Sequence, residues 1–311
     1  MTEERRLRDG LYLIDLRFQG EPEVIAAYLL ESAGEYALVE VGPTTTLDAL
    51  LDGVRAAGVA PESISRLLVT HIHLDHAGAA GALIRRYPSM QLYVHELGAS
   101  HMADPSKLLR SAERIYGDQM GPLWGEVVPV PDSNITTVSD GDVVDIGDTR
   151  LTVHYTPGHA SHHVAYRDAG HGDVFTGDVA AIRLPGFDYV RPATPPPDID
   201  LDLWSASLDT LEALQPSTIY LTHYGPFRDV DAHIARTRAQ LFAWADYVED
   251  LATRGEDAAA IKAELIHRAE EEVRAAHDDP EAVRRYELAA PAGMSVDGYL
   301  RYFKQRAAAS R

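Results

Sequence analysis

The segment Thr70-His71-Ile72-His73-Leu74-Asp75-His76 places three imidazoles and one carboxylate within six residues, directly after an apolar run. Imidazole nitrogen and carboxylate oxygen are the ligands a Zn²⁺ ion takes where thiolates are absent, and this chain has no cysteine. On an extended segment His71 and His73 point to the same side. Asp75 and His76 fall where the chain turns into a helix and can face a neighbouring position. The spacing therefore suits two metals, one taken by the first pair and one by the second. A lone histidine would be read as a packing residue, but His-x-His-x-Asp-His after a strand points to metal chemistry.

Three further pieces extend the donor set. Tyr155-Thr-Pro-Gly-His159-Ala-Ser-His-His163 puts a histidine after a Pro-Gly turn, Phe175-Thr-Gly-Asp178 a carboxylate after a short strand, and Tyr220-Leu-Thr-His223-Tyr-Gly-Pro another histidine near the end of an αβ series. Each alone is compatible with a turn or a cap. Together they supply the missing ligands in order. The remaining histidines, at 95, 101, 154, 162, 171, 233, 267 and 277, are read as surface or packing residues. His163 is read as a residue that packs behind the ligands.

The elements that must position these groups are short strands and helices in alternation. Leu11–Phe18, Val24–Glu31 and Tyr36–Val41 are rich in β-branched and aromatic residues and are broken by Gly- and Pro-containing turns, so they read as consecutive strands. Leu47, Leu50, Leu51 and Val54 recur at helical spacing over Thr46–Gly58. A strand over Ile64–Thr70 leads into the His-rich turn, followed by a helix from about Ala77 to Tyr87 and a strand over Gln91–His95. A second series comprises strands over Asp142–Ile146, Arg150–Tyr155, His163–Arg167 and Asp173–Thr176, a helix over Leu201–Leu214 and a strand over Ser217–Thr222. Sheets packed between helices are expected, with the donor residues just past strand ends, on loops.

Two stretches stand apart. Gly98–Gly125 holds a helical run, Ser106–Tyr116, and Arg183–Asp200 is too proline-laden for regular structure. They flank ligand-bearing strand ends and offer Tyr116, Met120, Trp124, Leu184, Phe187 and Tyr189 beside Arg183 and Arg191. The expectation is that they wall a substrate groove, with an arginine meeting a negative or carbonyl-bearing part of the ligand. From about Asp229 the chain reads as helical. Ile234, Leu241, Ala245 and Val248 form one apolar stripe and Ile261, Leu265, Ala269 and Val273 another, expected to pack on the core or to form a dimer interface.

Composition narrows the class. Of 311 residues, 45% are apolar and 24% charged, as in a globular protein. No apolar run approaches the roughly 18 residues that span a bilayer. The start, Met1-Thr-Glu-Glu-Arg-Arg, meets charges before any apolar stretch, unlike a secretory signal. Lack of cysteine excludes disulfides, thiolate ligands and a cysteine nucleophile, and fits a cytoplasmic location. With 48 acidic against 28 basic residues and a net charge of −20, the surface repels phosphate backbones. A small-molecule substrate is expected, with neither nucleic acid nor membrane as a partner.

The segments Thr-His-x-His-x-Asp-His, Thr-Pro-Gly-His, Thr-Gly-Asp and Thr-His-Tyr-Gly resemble the successive motifs of the metallo-β-lactamase superfamily, over roughly Leu11 to Phe227. The resemblance implies an α/β fold, a four-layer αββα sandwich, here with a C-terminal helical extension: a catalytic domain over 1–228 and the extension over 229–311. It further implies two divalent metal ions, zinc first and iron or manganese as alternatives. His71, His73 and His159 would hold one, Asp75, His76 and His223 the other, and Asp178 would bridge them. In place of the usual Val-Asp-x-Gly the chain has Val39-Glu40-Val41-Gly42, so Glu40 is the residue expected behind the ligands.

Two metals about 3.5–4 Å apart acidify a bridging water and clamp the attacking and departing oxygens. The implied reaction is attack of that hydroxide on the carbonyl of an ester, lactone or thioester, with Asp75 as ligand and orienting group. The His-x-His-x-Asp-His-Ala-Gly form is similar to acyl-homoserine lactonases and hydroxyacylglutathione hydrolases. The lactonases carry a tyrosine three residues past the bridging aspartate; here Ala181 stands there, with Tyr189 or Tyr224 as candidate substitutes. The competing readings are an iron-dependent oxidoreductase of this fold, of persulfide dioxygenase type, and a non-catalytic metal-binding protein.

Overall fold

Residues 5–309 are described by the computed structural model. Met1–Glu4, with which the reading of a start unlike a secretory signal begins, lie outside the described residues. The chain forms two units, one of residues up to 155 together with 162–175, the other of 156–161 together with 176 onward.

In the first unit, strands separated by tight turns pair with their sequence neighbours. β1 (Arg5–Arg8), β2 (Leu11–Asp15), β3 (Ala26–Ser32) and β4 (Glu35–Val39) are antiparallel in succession. The helix α1 (Leu47–Ala56) then crosses over, so β5 (Ile64–Leu68) runs parallel to β4. Leu50, Leu51 and Val54 of α1 are buried, as their spacing predicts. Gly53 lets the helix approach, since a Cβ there would stand 2.3 Å from Ile14 of β2. The His-rich turn follows β5. After it come α2 (Leu74–Ala77), α3 (Ala80–Arg86) and β6 (Gln91–His95). The helix expected from about Ala77 to Tyr87 is thus α3, which starts only at Ala80 because the Ala79 amide donates to Gly42 O (2.9 Å) instead of continuing the ladder of α2.

Three helices occupy the stretch around Gly98–Gly125, α4 (Glu96–Ala103), α5 (Ser106–Tyr116, the helical run read from the sequence) and α6 (Met120–Trp124), before β7 (Ile135–Val138) completes a seven-stranded sheet in the order β1 to β7. A second, antiparallel set follows: β8 (Val143–Ile146), β9 (Thr149–Tyr155), β10 (Val164–Asp168) and β11 (Asp173–Phe175). The two sheets face one another. Tyr28 of β3 meets Phe175 of β11 edge-on with ring centroids 5.3 Å apart, and the Tyr166 hydroxyl of β10 donates to Val69 O at 3.0 Å. At the edge, Arg8 of β1 bonds Asp168 and Asp173, each at 2.9 Å.

The second unit contains α7 (Leu201–Ala213), whose first turn is capped by the Asp200 carboxylate accepting from Leu203 N. The hairpin β12 (Thr218–Leu221) and β13 (Gly225–Phe227) follows. Then come α8 (Val230–Thr253), α9 (Ala258–Ala276), α10 (Ala282–Ala289) and α11 (Ala292–Ala309). Both apolar stripes read from the sequence, on α8 and α9, are buried within this unit. The Tyr299 hydroxyl of α11 donates to Leu241 O of α8 at 3.0 Å. No helix among the described residues is long and apolar enough to cross a membrane.

Candidate metal centre

Parallel β5 ends at the turn that carries four donors of the first unit. His71 and His76 are fully buried, with ring centroids 3.9 Å apart. Their tautomers follow from what lies behind them. A carboxylate only accepts, so His76 Nδ1–H donates to Glu40 Oε1 (3.1 Å) and the Thr70 hydroxyl donates to the same oxygen (2.5 Å). Thr70 has one proton, now used, so its oxygen accepts from His71 Nδ1–H at 3.1 Å. Both rings then carry their proton on Nδ1. His71 Nε2 faces His73 Nδ1 at 2.9 Å. Two imidazole nitrogens this close need a shared proton or a cation between their lone pairs. Asp75 Oδ2 lies 3.8 Å from His76 Nε2, on a side chain 21% exposed and so within reach of solvent.

Glu40 therefore stands where the sequence expected a supporting carboxylate. It is buried in the left-handed region at φ 64°, a conformation costly for a non-glycine residue and typical of functional sites. His162 and His163 complete the surround. His162 stacks on His71 with centroids 6.1 Å apart, and His163 lies 5.0 Å from the same ring. Both are buried packing partners. Tyr116, at the end of α5, belongs here too: burial pushes its phenol up, and the Asp75 carboxylate adds to the effect.

The second unit gathers the other three donors. His159 follows Gly158, whose φ is 129° and where a Cβ would stand 2.3 Å from Trp204 Cα, so only glycine fits. His159 Nδ1–H donates to Ala193 O at 2.8 Å, which turns Nε2 to the other side of the ring. That Nε2 is 3.5 Å from Asp178 Oδ2, while His223 Nε2 is 3.7 Å from Asp178 Oδ1. One carboxylate thus offers a different oxygen to each imidazole. All three residues are buried.

Consecutive carbonyls after Asp178 are held from two helices. Trp204 Nε1–H of α7 donates to Val179 O at 2.7 Å. His233 of α8 donates from Nε2 to Ala180 O at 2.7 Å, joined by Thr237 Oγ1 at 3.2 Å. Burial lowers the His233 pKa to about 4, against the smaller upward pull of its bond to Ala180. Sequence reading treated His233 as a surface or packing residue and gave Trp204 no role. Nothing in their local spacing reveals a hydrogen bond to a carbonyl so distant in sequence.

The aromatics and arginines expected to wall a groove from Arg183–Asp200 do something else. Arg183 is buried against Asp229 (2.8 Å) and the Phe187 carbonyl (2.6 Å). Arg191 is fully buried against Glu287 at 2.6 Å. Leu184 and Phe187 pack with Val273, Ala282 and Tyr286, and the Tyr189 hydroxyl donates to Glu272 at 3.1 Å. The expectation is corrected: these side chains fasten the loop to α9 and α10. In the first unit Trp124 stacks on Phe18 at 5.5 Å and takes the Tyr116 ring edge-on at 5.0 Å, again as packing.

The candidate donors are imidazoles and carboxylates, a set that fits a divalent cation. The family profile described as the metallo-beta-lactamase superfamily matches residues 20–223. A metallo-beta-lactamase fold-containing protein of Sulfurisphaera tokodaii is 29% identical over 166 residues, 53% of this chain and 62% of that one. An acyl-coenzyme A thioesterase of Gallus gallus is 28% identical over 192 residues, 56% and 64% of the two chains. The chain thus spans less than two thirds of the length of either relative. The crystal structure of a metallo-beta-lactamase family protein from Thermus thermophilus is similar over 97% of this chain and 96% of its own, with a TM-score of 0.70 at 23% identity. The fold is the αββα sandwich with C-terminal helices that the motifs implied.

Proposed function

The chain belongs to the metallo-beta-lactamase superfamily, and we propose that it is a dinuclear metallo-hydrolase of a carboxylic ester, lactone or thioester, zinc-dependent and most suited to a thioester. His71, His73 and His159 are assigned to one ion, Asp75, His76 and His223 to the other, and Asp178 to both. The observation that carries this is the gathering of imidazole and carboxylate donor atoms: His71 Nε2 faces His73 Nδ1 at 2.9 Å, and His159 and His223 Nε2 lie 3.5 and 3.7 Å from the two oxygens of Asp178.

When bound, the metals supply Lewis acidity and bring the pKa of a water toward neutrality. The protein's own part is positioning and proton handling. Glu40 and Thr70 fix the ring orientation of His71 and His76, as partners behind a metal ligand commonly do. Asp75, partly open to solvent, orients the attacking water and holds its proton.

The thioester preference rests on two things. One relative is named an acyl-coenzyme A thioesterase. The tyrosine that lactonases place three residues past the bridging aspartate is absent, and of the two candidate substitutes, Tyr189 and Tyr224, the first is engaged by Glu272. The test is a panel of acyl thioesters, simple esters and lactones assayed before and after chelation and after zinc is restored. Thioester turnover that chelator abolishes and zinc restores is expected. Turnover that survives complete metal removal, or no hydrolysis across the panel by metal-loaded protein, would overturn the proposal.

A further inference from the structure

Arg191 occupies an unusual place in the second unit. Its guanidinium is fully buried, where an arginine is rarely found unless paired. Nη1 donates to Glu287 Oε1 at 2.6 Å and to Ala290 O at 3.2 Å, and Nη2 to Ala269 O at 3.3 Å. The rings of Tyr286, Trp244 and Tyr189 surround it at 5.2, 5.7 and 5.8 Å. One side chain thereby ties the proline-rich loop to α8, α9 and α10.

The backbone of the same residue reaches toward the ligands. Arg191 and Ile182 exchange both N–H···O bonds at 2.9 Å, and Ile182 lies four residues past Asp178. Two residues beyond Arg191 is Ala193, whose carbonyl accepts from His159 Nδ1–H. The next residue is held as well. Thr194 Oγ1 donates to Ser295 O of α11 at 3.3 Å, and Thr194 O is packed so closely on Gly298 that a Cβ there would stand 1.9 Å away.

We propose that Arg191 is a positioning residue for His159 and for the Asp178 turn, and that the C-terminal helices exist in this chain as the frame that sets those two ligands. This rests on the ligand assignment under Proposed function. The physics favours a positioning role over a stabilising one. Replacing a buried ion pair by apolar groups of similar volume is often neutral for stability, so burial of Arg191 is poorly explained as a contribution to folding. A guanidinium fork, by contrast, fixes a loop in both direction and register. Moving the Ala193 carbonyl would release the His159 ring, and loss of such a partner typically lowers metal affinity 10–100-fold.

The test uses the full chain and zinc alone, with affinities read by chelator competition. Arg191→Met paired with Glu287→Gln removes the ion pair while filling the space. Gly298→Ala pushes the Thr194 carbonyl from the α11 side and leaves the ion pair intact. Each is expected to weaken the zinc that His159→Ala empties by 10-fold or more, and the other zinc, which shares only Asp178 with it, by a clearly smaller factor. The His159 Nδ1–H proton resonance should shift or vanish in the same variants. Arg191→Lys should recover part of the affinity.

Folded variants that keep both zincs at wild-type affinity and an unchanged Nδ1–H resonance would overturn the proposal. So would equal weakening of both zincs. If the double variant fails to fold, Gly298→Ala decides by the same readouts. Wild-type protein that binds no zinc would instead sink the ligand assignment.

Discussion

Glu40 Oε1 accepts the Nδ1 proton of His76 at 3.1 Å while also accepting the Thr70 hydroxyl, whose oxygen in turn reaches His71. A single carboxylate oxygen therefore sets the tautomers of two imidazoles from behind. The residue is a glutamate where the resembled pattern has an aspartate, and the backbone at φ 64° lies in the left-handed region.

Glu40→Ala should lower zinc affinity 10–100-fold, because His76 and His71 lose the partner that holds their Nε2 lone pairs in place. Glu40→Gln keeps an acceptor oxygen without the charge and should fall between the two. Chelator competition on the purified variants checks this. An alanine variant with undiminished affinity would show that the rings are oriented by other contacts.

Asp178 presents Oδ2 to His159 and Oδ1 to His223. Asp178→Asn is expected to weaken both metals, whereas His223→Ala should chiefly empty one. Titration with zinc distinguishes them by the number of sites that change. If Asp178→Asn lost a single site and turned over normally, the bridging role would be wrong.

The four motifs point to candidate donors because metal-ligand chemistry restricts residue type and spacing locally: Thr70 to His76 need only their own strand and turn. The strands were legible for the same reason, since alternation and turn residues are short-range signals. What the sequence did not reveal is carried by distant contacts. The Trp204 and His233 bonds to the Asp178 turn cross 25 and 53 residues, and no spacing rule reports them. The loop aromatics were misassigned because an aromatic that binds substrate and one that packs on a helix look alike in sequence. Arg183 and Arg191 were read as substrate-facing for want of any sign of Asp229 and Glu287 opposite them.

His233 has a folded pKa of about 4 against about 6.5 unfolded. Its contribution to stability is complete above pH 6.5. Below that the unfolded chain takes a proton that the folded one refuses, so stability falls until about pH 4 and is then constant in this respect. Between pH 7 and 5 the loss is about 2 kcal/mol, from roughly 1.5 pKa units at 1.36 kcal/mol each. His233→Gln keeps a donor for Ala180 and should show a correspondingly smaller drop in urea-unfolding stability over that interval. The metal ligands titrate in both proteins and cancel in the comparison. Parallel pH profiles would contradict a neutral His233.

Phe187 is buried in the cluster formed with Val273, Ala282 and Tyr286, with the Tyr286 ring 5.7 Å away. Phe187→Ala should destabilise the protein by about 3–5 kcal/mol, the usual loss for an emptied aromatic site. Relative rates across the substrate panel should stay the same at temperatures where it remains folded. A changed substrate preference with unchanged Tm would restore Phe187 to the groove wall.

The central claim is a centre of two metals held by the seven assigned donors, and elemental analysis of protein purified without chelator addresses it most directly. Two zincs per wild-type chain are expected. His73→Ala, which removes one of the two facing nitrogens of the His71–His73 pair, should fall below two and lose at least 10-fold in affinity for the remaining metal at that position. A single iron per chain with oxygen uptake, or two zincs retained at full affinity in His73→Ala, would contradict the account.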